Sequence, residues 1–310
     1  MADTTPGTKF LDPAALARLK NLGLAARLVV EGLYSGQHRS PHRGFSIEFA
    51  EHRQYTPGID PRHLDWKILA KRDKLYVKQY EEQTNLRCYL LLDASASMSY
   101  RHSGELTKFE YASFCAASLA YLMHRQHDAF GLITYNDDVV QHVPPRQGKA
   151  HLSVVLQQLE NTQPAGRTNL AHTFHRLAER MKRRALVVVL SDLFSDQGGP
   201  QELIDALSHL RHRKHEVVAF QILDRAELEF PFTDASQIED LETTRLISAD
   251  AEAIRNHYLN QVNDYLERIR AGCASHGVEY ALADTGQPFD QFLGAYLKRR
   301  HERAAMKARA

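Results

Sequence analysis

Five residues with side-chain oxygen atoms lie where strands are predicted to end or helices to begin. Asp93 ends the apolar run LLLD and is followed at two-residue spacing by Ser95 and Ser97. Thr168 lies in GRTN, and Asp192 ends the run VVVLSD. Carboxylates and hydroxyls without cysteine or histidine are the ligands of a hard cation such as Mg²⁺. Ca²⁺ usually takes more oxygens, so the pattern favours Mg²⁺, although other divalent cations would find the same ligands.

Each of these residues also has an ordinary structural explanation. Ser97 could cap a helix, Thr168 or Asn169 could cap another, and Asp192 could begin a turn. The patterns D-x-S-x-S, G-x-T-N and S-D nevertheless occur at three separate places, and each carries the residue type that a shared cation needs. Their joint occurrence favours a metal site.

The elements that must position these residues show the pattern of a parallel sheet. Short, nearly continuous apolar runs alternate with helical stripes, which indicates strands buried on both faces. Strands are predicted at 88–93, 129–135, 185–192, 217–224 and 278–284, with an edge hairpin strand at 139–145. Ligands of open α/β sheets gather at the carboxyl ends of the strands, so Asp93 and Asp192 are predicted to share one rim.

The helices between these strands are predicted from apolar residues at helical spacing. Residues 109–123 are apolar nearly all round, which predicts a deeply buried helix. Two narrower stripes predict helices that pack on the sheet: Leu170, Phe174, Leu177 and Met181 in the first, and Ile254, Tyr258, Val262, Tyr265 and Ile269 in the second.

A smaller region precedes the first buried run. Asp12 and Pro13 begin a predicted amphipathic helix, and strand periodicity follows at 45–50 and again from Leu75. We predict an N-terminal helix and β-strand region at 1–85, followed at 86–310 by the main domain with a C-terminal helix. The fold class is α/β, with a doubly wound, mostly parallel sheet, helices on both faces and a smaller N-terminal helix and β-hairpin region.

Composition excludes several classes of protein. Lys and Arg number 39 against 38 Asp and Glu, whereas nucleic-acid binders usually show a marked basic excess. The three cysteines form no C-x-x-C pair, which argues against a disulfide framework and a zinc knuckle. No window approaches the ~18 apolar residues of a membrane span, and the N-terminus lacks the pattern of a signal peptide. We therefore expect a cytoplasmic protein with no nucleic-acid partner and no membrane insertion.

Catalysis has little support. The chain contains neither G-x-S-x-G nor a G-x-x-x-x-G-K-[ST] phosphate loop. The alternative function is a Mg²⁺-dependent phosphatase or other hydrolase with Asp93 as nucleophile. That chemistry needs an acid two residues later and a suitably placed lysine, and position 95 is serine.

Four histidines occur in pairs on predicted helices. His172 and His175 are three residues apart, as are His209 and His212. The first pair lies off the apolar stripe, so exposed polar positions are predicted rather than metal ligands.

DASAS, GRTN and VVVLSD resemble the metal-ion-dependent adhesion site of von Willebrand factor A-type domains. In that family an Asp and two Ser of the first loop, a Thr of the second and an Asp of the third bind Mg²⁺ directly or through water. A partner's carboxylate commonly completes the shell. The resemblance implies that Asp93, Ser95, Ser97, Thr168 and Asp192 are the ligands. The family usually has T-D-G in its third loop, whereas this chain has Ser191-Asp192-Leu193.

A second resemblance covers almost the whole chain. The segments GFSIEF, RQYTPGIDPRHLDW and DASASM, in this order, resemble the bacterial domain-of-unknown-function family fifty-eight. Relatives often have two acids after the P-G, and here Ile59 replaces the first while Asp60 keeps the second. Members are typically encoded beside MoxR-type AAA ATPases, which implies such an ATPase as a partner.

Together these observations predict a non-enzymatic, Mg²⁺-dependent protein-interaction module. Its protein partner would supply an Asp or Glu to the metal. The resemblance further implies an adaptor that works with a MoxR-type AAA ATPase in a chaperone-like or regulatory complex.

Overall fold

A computed structural model describes residues 22, 23, 26, 27, 30, 52–54, 76–78, 86–194, 199–233, 235–239, 241–242 and 246–309 of the 310-residue chain. The described positions between 22 and 30 are helical, in agreement with the predicted first helix. Its predicted start at Asp12, the predicted strand at 45–50 and most of the Arg53 to Trp66 motif lie outside these residues.

The chain divides into two compact units. One comprises Met1–His38 with Leu86–Ala310, and the other comprises Arg39–Asn85. The second unit contains a short antiparallel ladder between β1 (His52–Gln54) and β2 (Tyr76–Lys78). The larger unit resumes at Leu86, directly after Asn85, and it also includes residues 1–38. The reason is the apolar stripe of the first helix, since Leu22, Ala26 and Val30 are buried in the larger unit's core.

A six-stranded sheet forms the centre of the larger unit, in the order β10-β7-β6-β3-β4-β5. Every neighbouring pair is parallel except β4 and β5, which form the predicted antiparallel edge hairpin. A separate antiparallel pair joins β8 to β9. The strands are β3 (Arg87–Asp93), β4 (Ala129–Tyr135), β5 (Val139–Arg146), β6 (Leu186–Ser191), β7 (Glu216–Leu223), β8 (Ala235–Glu239), β9 (Leu246–Asp250) and β10 (Glu279–Asp284).

Helices cover both faces of this sheet. They are α1 (Lys108–Arg125), α2 (Lys149–Asn161), α3 (Leu170–Arg180), α4 (Gly199–His212), α5 (Arg225–Glu229), α6 (Ala251–Ser275) and α7 (Phe289–Arg309). Helices α1, α2 and α7 contribute to one apolar cluster, and α3, α4 and α6 contribute to the other. The predicted fold class is therefore confirmed. Within the part of the chain that the structure describes, no helix is both long enough and apolar enough to cross a membrane.

The order of the strands places a crevice between β3 and β6. The chain moves outward from β3 through β4 to β5, and it then returns to the other side of β3 with β6. Such a reversal leaves the loops that follow the two central strands pointing apart, and ligands bind between them. Asp93 ends β3 and Ser191 ends β6, so the predicted ligands Asp93 and Asp192 flank this crevice.

Gly131 marks a close approach between β4 and the edge strand β5. The register shifts between Phe130 and Leu132, and a Cβ atom on Gly131 would lie 2.5 Å from the carbonyl oxygen of Val143. The same atom would lie 2.8 Å from the nitrogen of Pro145. Both neighbours are backbone atoms, which cannot turn aside as a side chain can.

We expect Gly131→Ala to lower the free energy of unfolding by about 1–3 kcal/mol, as overpacking does elsewhere. Gly272→Ala is the comparison variant, because the three atoms nearest to its added Cβ, at 2.3–3.0 Å, belong to the side chain of Ile204 and not to backbone. Ile204 is buried and must shift, but a side chain shifts at a lower cost than backbone and alanine favours a helix over glycine, so we expect a smaller loss than in Gly131→Ala. Urea unfolding measures both changes, and equal losses for the two variants would contradict the argument.

Candidate metal centre at the carboxyl ends of the strands

Backbone hydrogen bonds bring the first two predicted loops together. The amide of Ala96 donates to the carbonyl of Gly166 at 2.9 Å, and the amide of Ala165 donates to the carbonyl of Ala94 at 2.8 Å. The third loop is tied to the first by side chains. Ser97 Oγ donates to Asp192 Oδ2 at 2.9 Å, and Ser191 Oγ donates to Asp93 Oδ2 at 2.6 Å.

Asp93 is a buried carboxylate held by its own loop. It is fully buried, and its Oδ1 accepts a hydrogen bond from the amide of Ser95 at 2.9 Å. Burial raises the pKa of Asp93 to about 7, and the negative charge of Asp192 adds to this, while hydrogen bonds from Ser191 and Ser95 act in the opposite direction. A nearby cation would relieve the cost of this buried charge.

The two serines of the first loop present neighbouring hydroxyls. Ser95 Oγ and Ser97 Oγ are 3.1 Å apart. Ser95 precedes a short 3₁₀ helix at Ala96–Ser99 but makes no side-chain cap bond to it. Ser97 lies inside that helix and directs its hydroxyl to Asp192. Helix capping therefore does not explain either hydroxyl.

Thr168 has a hydroxyl with no evident structural task. Asn169 caps α3 by accepting from the amide of His172 at 3.1 Å, so the cap predicted at Thr168 or Asn169 belongs to Asn169. Thr168 Oγ1 is buried and has no hydrogen-bond partner among the described residues. Buried hydroxyls normally find a partner, and an unmade bond points to an ion or water.

The third loop holds Asp192 through both of its oxygens. Oδ1 accepts from the amide of Phe194 at 3.2 Å, as in the predicted turn, while Oδ2 accepts from Ser97. Leu193, at the usual glycine position, has a φ of 56°. The left-handed region suits glycine, so Leu193 adopts this conformation at a steric cost. The leucine side chain is fully buried in the core.

Lys108 and Glu227 extend the site beyond the predicted residues. Lys108 Nζ donates to Asp192 Oδ2 at 2.9 Å and to Glu227 Oε1 at 2.8 Å, and the lysine side chain is 1% exposed. Burial alone would lower the pKa of Lys108, but Asp192 and Glu227 outweigh it and raise the pKa. The lysine stays charged and offsets part of the negative charge of the site.

The position of Lys108 in the sequence indicates that this lysine has a buried partner. It is the first residue of α1, directly after the capping residue Thr107. A cation is unfavourable at a helix N-terminus, and a lysine is rarely fully buried without a partner. Lysine at the start of an apolar helix therefore indicates a buried carboxylate partner.

The carboxylates that end the neighbouring strands differ from Asp93 and Asp192. Asp224 follows β7 and accepts from the amides of His102, Ser103 and Ala226. Burial would raise its pKa, but these backbone hydrogen bonds lower it. Asp284 ends β10 and pairs with Arg225 at 2.7 Å. Neither acid follows β3 or β6, the two strands that border the crevice.

Two oxygen–oxygen distances at these loops match the spacing of adjacent ligands around an octahedral hard cation. Ligands about 2.1 Å from Mg²⁺ at right angles lie about 3.0 Å from one another. Ser95 Oγ to Ser97 Oγ measures 3.1 Å, and Ser97 Oγ to Asp192 Oδ2 measures 2.9 Å. The unpartnered Thr168 Oγ1 adds a further oxygen at the same group of loops. No group of three or more His, Cys, Asp or Glu suited to a metal occurs among the described residues, so any metal here depends on hydroxyls.

Comparison with known families gives the relationship of the whole chain. The model of the DUF58 family, described as a protein of unknown function, matches residues 51–268. This chain belongs to the DUF58 family. Uncharacterised proteins of Mycobacterium tuberculosis and Mycobacterium bovis are each 29% identical over 235 residues. The match spans 75% of this DUF58 chain and 72% of each relative.

Solved structures similar to this DUF58 chain include proteins of two Bacteroides species. The conserved hypothetical protein BatB from Bacteroides thetaiotaomicron is 14% identical, with a TM-score of 0.46 over 70% of this chain and 99% of its own. An aerotolerance-related membrane protein from Bacteroides fragilis is 15% identical, with a TM-score of 0.47 over 69% and 99%. The VWA domain of SpRpn10 is 12% identical, with a TM-score of 0.43 over 67% and 93%.

Proposed function

We propose that this DUF58 chain is a non-enzymatic protein-interaction module that binds its partner through Mg²⁺. Asp93, Ser95, Ser97, Thr168 and Asp192 would hold the ion directly or through water, and an Asp or Glu of the partner would complete its shell. The observation that carries the proposal is the buried, unpartnered Thr168 Oγ1 beside loops that present only oxygen ligands.

The charges at the site support recognition of a carboxylate. Asp93 and Asp192 contribute two negative charges to the site, and Lys108 contributes one positive charge beside Asp192. Glu227, which Lys108 contacts at 2.8 Å, adds a third negative charge, so a divalent cation would leave the group close to neutral, with the ion as its positive centre. An incoming carboxylate at the partly buried rim would then gain Coulomb energy that bulk water does not offer.

The chain itself brings a carboxylate to this rim. Glu242 Oε2 accepts a hydrogen bond from the amide of Thr168 at 3.1 Å, although the two residues are 74 positions apart. A carboxylate can therefore reach the backbone next to a proposed ligand. In this proposal the partner's Asp or Glu approaches the ion from the side of Thr168, and the carboxylate of Glu242 competes with it for this position.

The proposed partner is a MoxR-type AAA ATPase, for which this chain would act as an adaptor in a chaperone-like or regulatory complex. Support comes from the resemblance to the family encoded beside such ATPases. The domain itself offers no phosphate loop, so nucleotide hydrolysis belongs to the partner.

Lys108 gives the phosphatase alternative one supporting observation. A hydrolase with Asp93 as nucleophile needs a lysine near the reacting group, and Lys108 contacts Asp192. Position 95 is serine, however, and lacks the carboxyl group that this chemistry needs two residues after the nucleophile. Release of phosphate from a chromogenic ester with Mg²⁺, abolished by Asp93→Asn, would establish the alternative over the interaction module.

Thr168→Val tests the proposed site, because valine keeps the shape and removes the hydroxyl. Without metal we expect the variant to be more stable by up to about 1–3 kcal/mol, since an unsatisfied buried hydroxyl is lost. With Mg²⁺ we expect weaker binding of the ion and of the purified MoxR-type ATPase. Calorimetry with MgCl₂ and ATPase binding in Mg²⁺ or chelator measure these effects.

Thr134→Val is the matched control, because Thr134 Oγ1 is also buried, has no hydrogen-bond partner within the described parts of the chain and lies in β4. It should gain stability and keep the affinity of wild type for Mg²⁺. If Thr168→Val binds Mg²⁺ as tightly as Thr134→Val does, Thr168 is not a ligand and the proposal loses its main support.

Glu242→Gln should increase the affinity for the partner by a few-fold in Mg²⁺, because a competing charge is removed while the shape is kept. Glu239→Gln, on the neighbouring strand β8, is the control. Surface plasmon resonance with the immobilised chain measures the change. A lower affinity in Glu242→Gln would show instead that Glu242 helps to assemble the site.

A further inference from the structure

Two histidines from neighbouring helices face each other at the opposite face of the sheet from α1. His175 lies on α3 and His209 lies on α4, and their Nδ1 atoms are 2.9 Å apart. The ring planes meet at 46° with centroids 5.1 Å apart. The sequence predicts exposed polar positions for His172 and His175, which is correct for both, and His209 is half-buried.

The backbone that carries this pair is held firmly. Helices α3 and α4 contribute to the same apolar core, with Phe174 and Leu210 fully buried directly beside the two histidines in sequence. The positions of the two backbones are therefore set by packed helices and not by a loop, and rotation of the side chains adjusts the distance between the imidazoles. Backbones that are already ordered lower the cost of bringing two ligands together around an ion.

The spacing is close to what a tetrahedral ion requires. With Zn–N bonds of 2.0–2.1 Å, two imidazole nitrogens on one tetrahedral Zn²⁺ lie about 3.3 Å apart. The observed 2.9 Å is a few tenths of an ångström shorter, which a small rotation of either side chain corrects. As a plain hydrogen bond, the pair holds one proton between the two nitrogens, and a divalent ion can take the place of that proton.

We propose that His175 and His209 form a second metal site, which takes a late first-row transition ion such as Zn²⁺, Ni²⁺ or Cu²⁺. Imidazole nitrogens select these ions, whereas Mg²⁺ prefers oxygen. No group of three or more His, Cys, Asp or Glu suited to a metal surrounds the pair in the described part of the chain, so water completes the shell. The bound ion ties α3 to α4 and leaves coordination positions open to solvent.

This inference does not rest on the proposed function, and its test removes the oxygen site first. ZnCl₂ is titrated calorimetrically into the full chain carrying Asp93→Asn, with excess MgCl₂ present. We expect one Zn²⁺ per chain, with affinity reduced roughly ten-fold or more by His175→Gln or His209→Gln. His172→Gln and His212→Gln are the matched controls on the same helices and should keep the affinity.

Electron paramagnetic resonance of bound Cu²⁺ provides an independent measurement. Coupling to two imidazole nitrogens is expected in the Asp93→Asn chain, and coupling to one or none after His175→Gln. Absence of Zn²⁺ binding, or binding that is unchanged by His175→Gln and His209→Gln, overturns the proposal. Binding lost instead in His172→Gln or His212→Gln also overturns it, because the ion would then sit on other histidines.

Discussion

Affinity for Mg²⁺ is expected to fall roughly 100-fold or more when Asp93 is replaced by asparagine, because a buried charge partner of the ion is removed. The amide keeps the shape of the carboxylate, and its oxygen can still accept from the amide of Ser95, as Asp93 Oδ1 does at 2.9 Å. Partner binding that depends on Mg²⁺ should be lost with the ion.

The same substitution should leave the chain folded, and in chelator it should raise the melting temperature. Asp93 and Asp192 are both fully buried, so removing one charge relieves desolvation and repulsion. Mg²⁺ should stabilise wild type and have little effect on Asp93→Asn. Asp138→Asn is the control, since Asp138 is exposed and pairs with Arg176 outside the site. Unchanged affinity for Mg²⁺ in Asp93→Asn would refute the oxygen site.

Lys108→Met is expected to lower the free energy of unfolding by about 3–5 kcal/mol in chelator, because it leaves the buried carboxylate of Asp192 and the neighbouring Glu227 without their cation. Methionine keeps the length of the aliphatic chain, so the loss reports the charge. Affinity for Mg²⁺ should rise, because a positive charge that opposes the ion is gone. Saturating Mg²⁺ should therefore restore part of the lost stability.

Lys149→Met is the matched control for this variant. Lys149 also occupies the first position of a helix, α2, but it is exposed. Urea unfolding in chelator and in Mg²⁺ should show a small effect of Lys149→Met under both conditions. The double variant Lys108→Met with Glu227→Gln should recover some stability. If Lys108→Met unfolds no more easily than Lys149→Met, the buried ion pair does not have the role assigned to it.

The central sheet could be predicted because its strands are buried on both faces. A parallel strand covered by helices is apolar along its whole length, as in Leu90, Leu91 and Leu92, and a polar residue such as Asp93 then marks its end. Residues of the edge strand β5 alternate between partly buried and exposed, and its two prolines indicate a position at the edge of the sheet. The order of the strands is a long-range property that periodicity does not encode.

Only the parts of the candidate site that lie in short sequence motifs could be predicted. Asp93, Ser95 and Ser97 lie in one motif, and the loops of Thr168 and Asp192 lie beside it through the bonds of Gly166 and Ser97. Lys108, Glu227 and Glu242 were missed, since each meets the site through a contact that spans 74 or more positions. A local sequence pattern cannot predict contacts between residues so far apart in sequence, because these contacts form only in the folded chain.

The outer edge of β5 limits how copies of this domain can associate. Pro144 and Pro145 lie in this last strand of the sheet and have no amide hydrogen to offer. A sheet grows by templating a new strand on a continuous row of donors and acceptors, and prolines interrupt that row. Growth of the sheet by addition of strands from further copies is therefore discouraged at this edge.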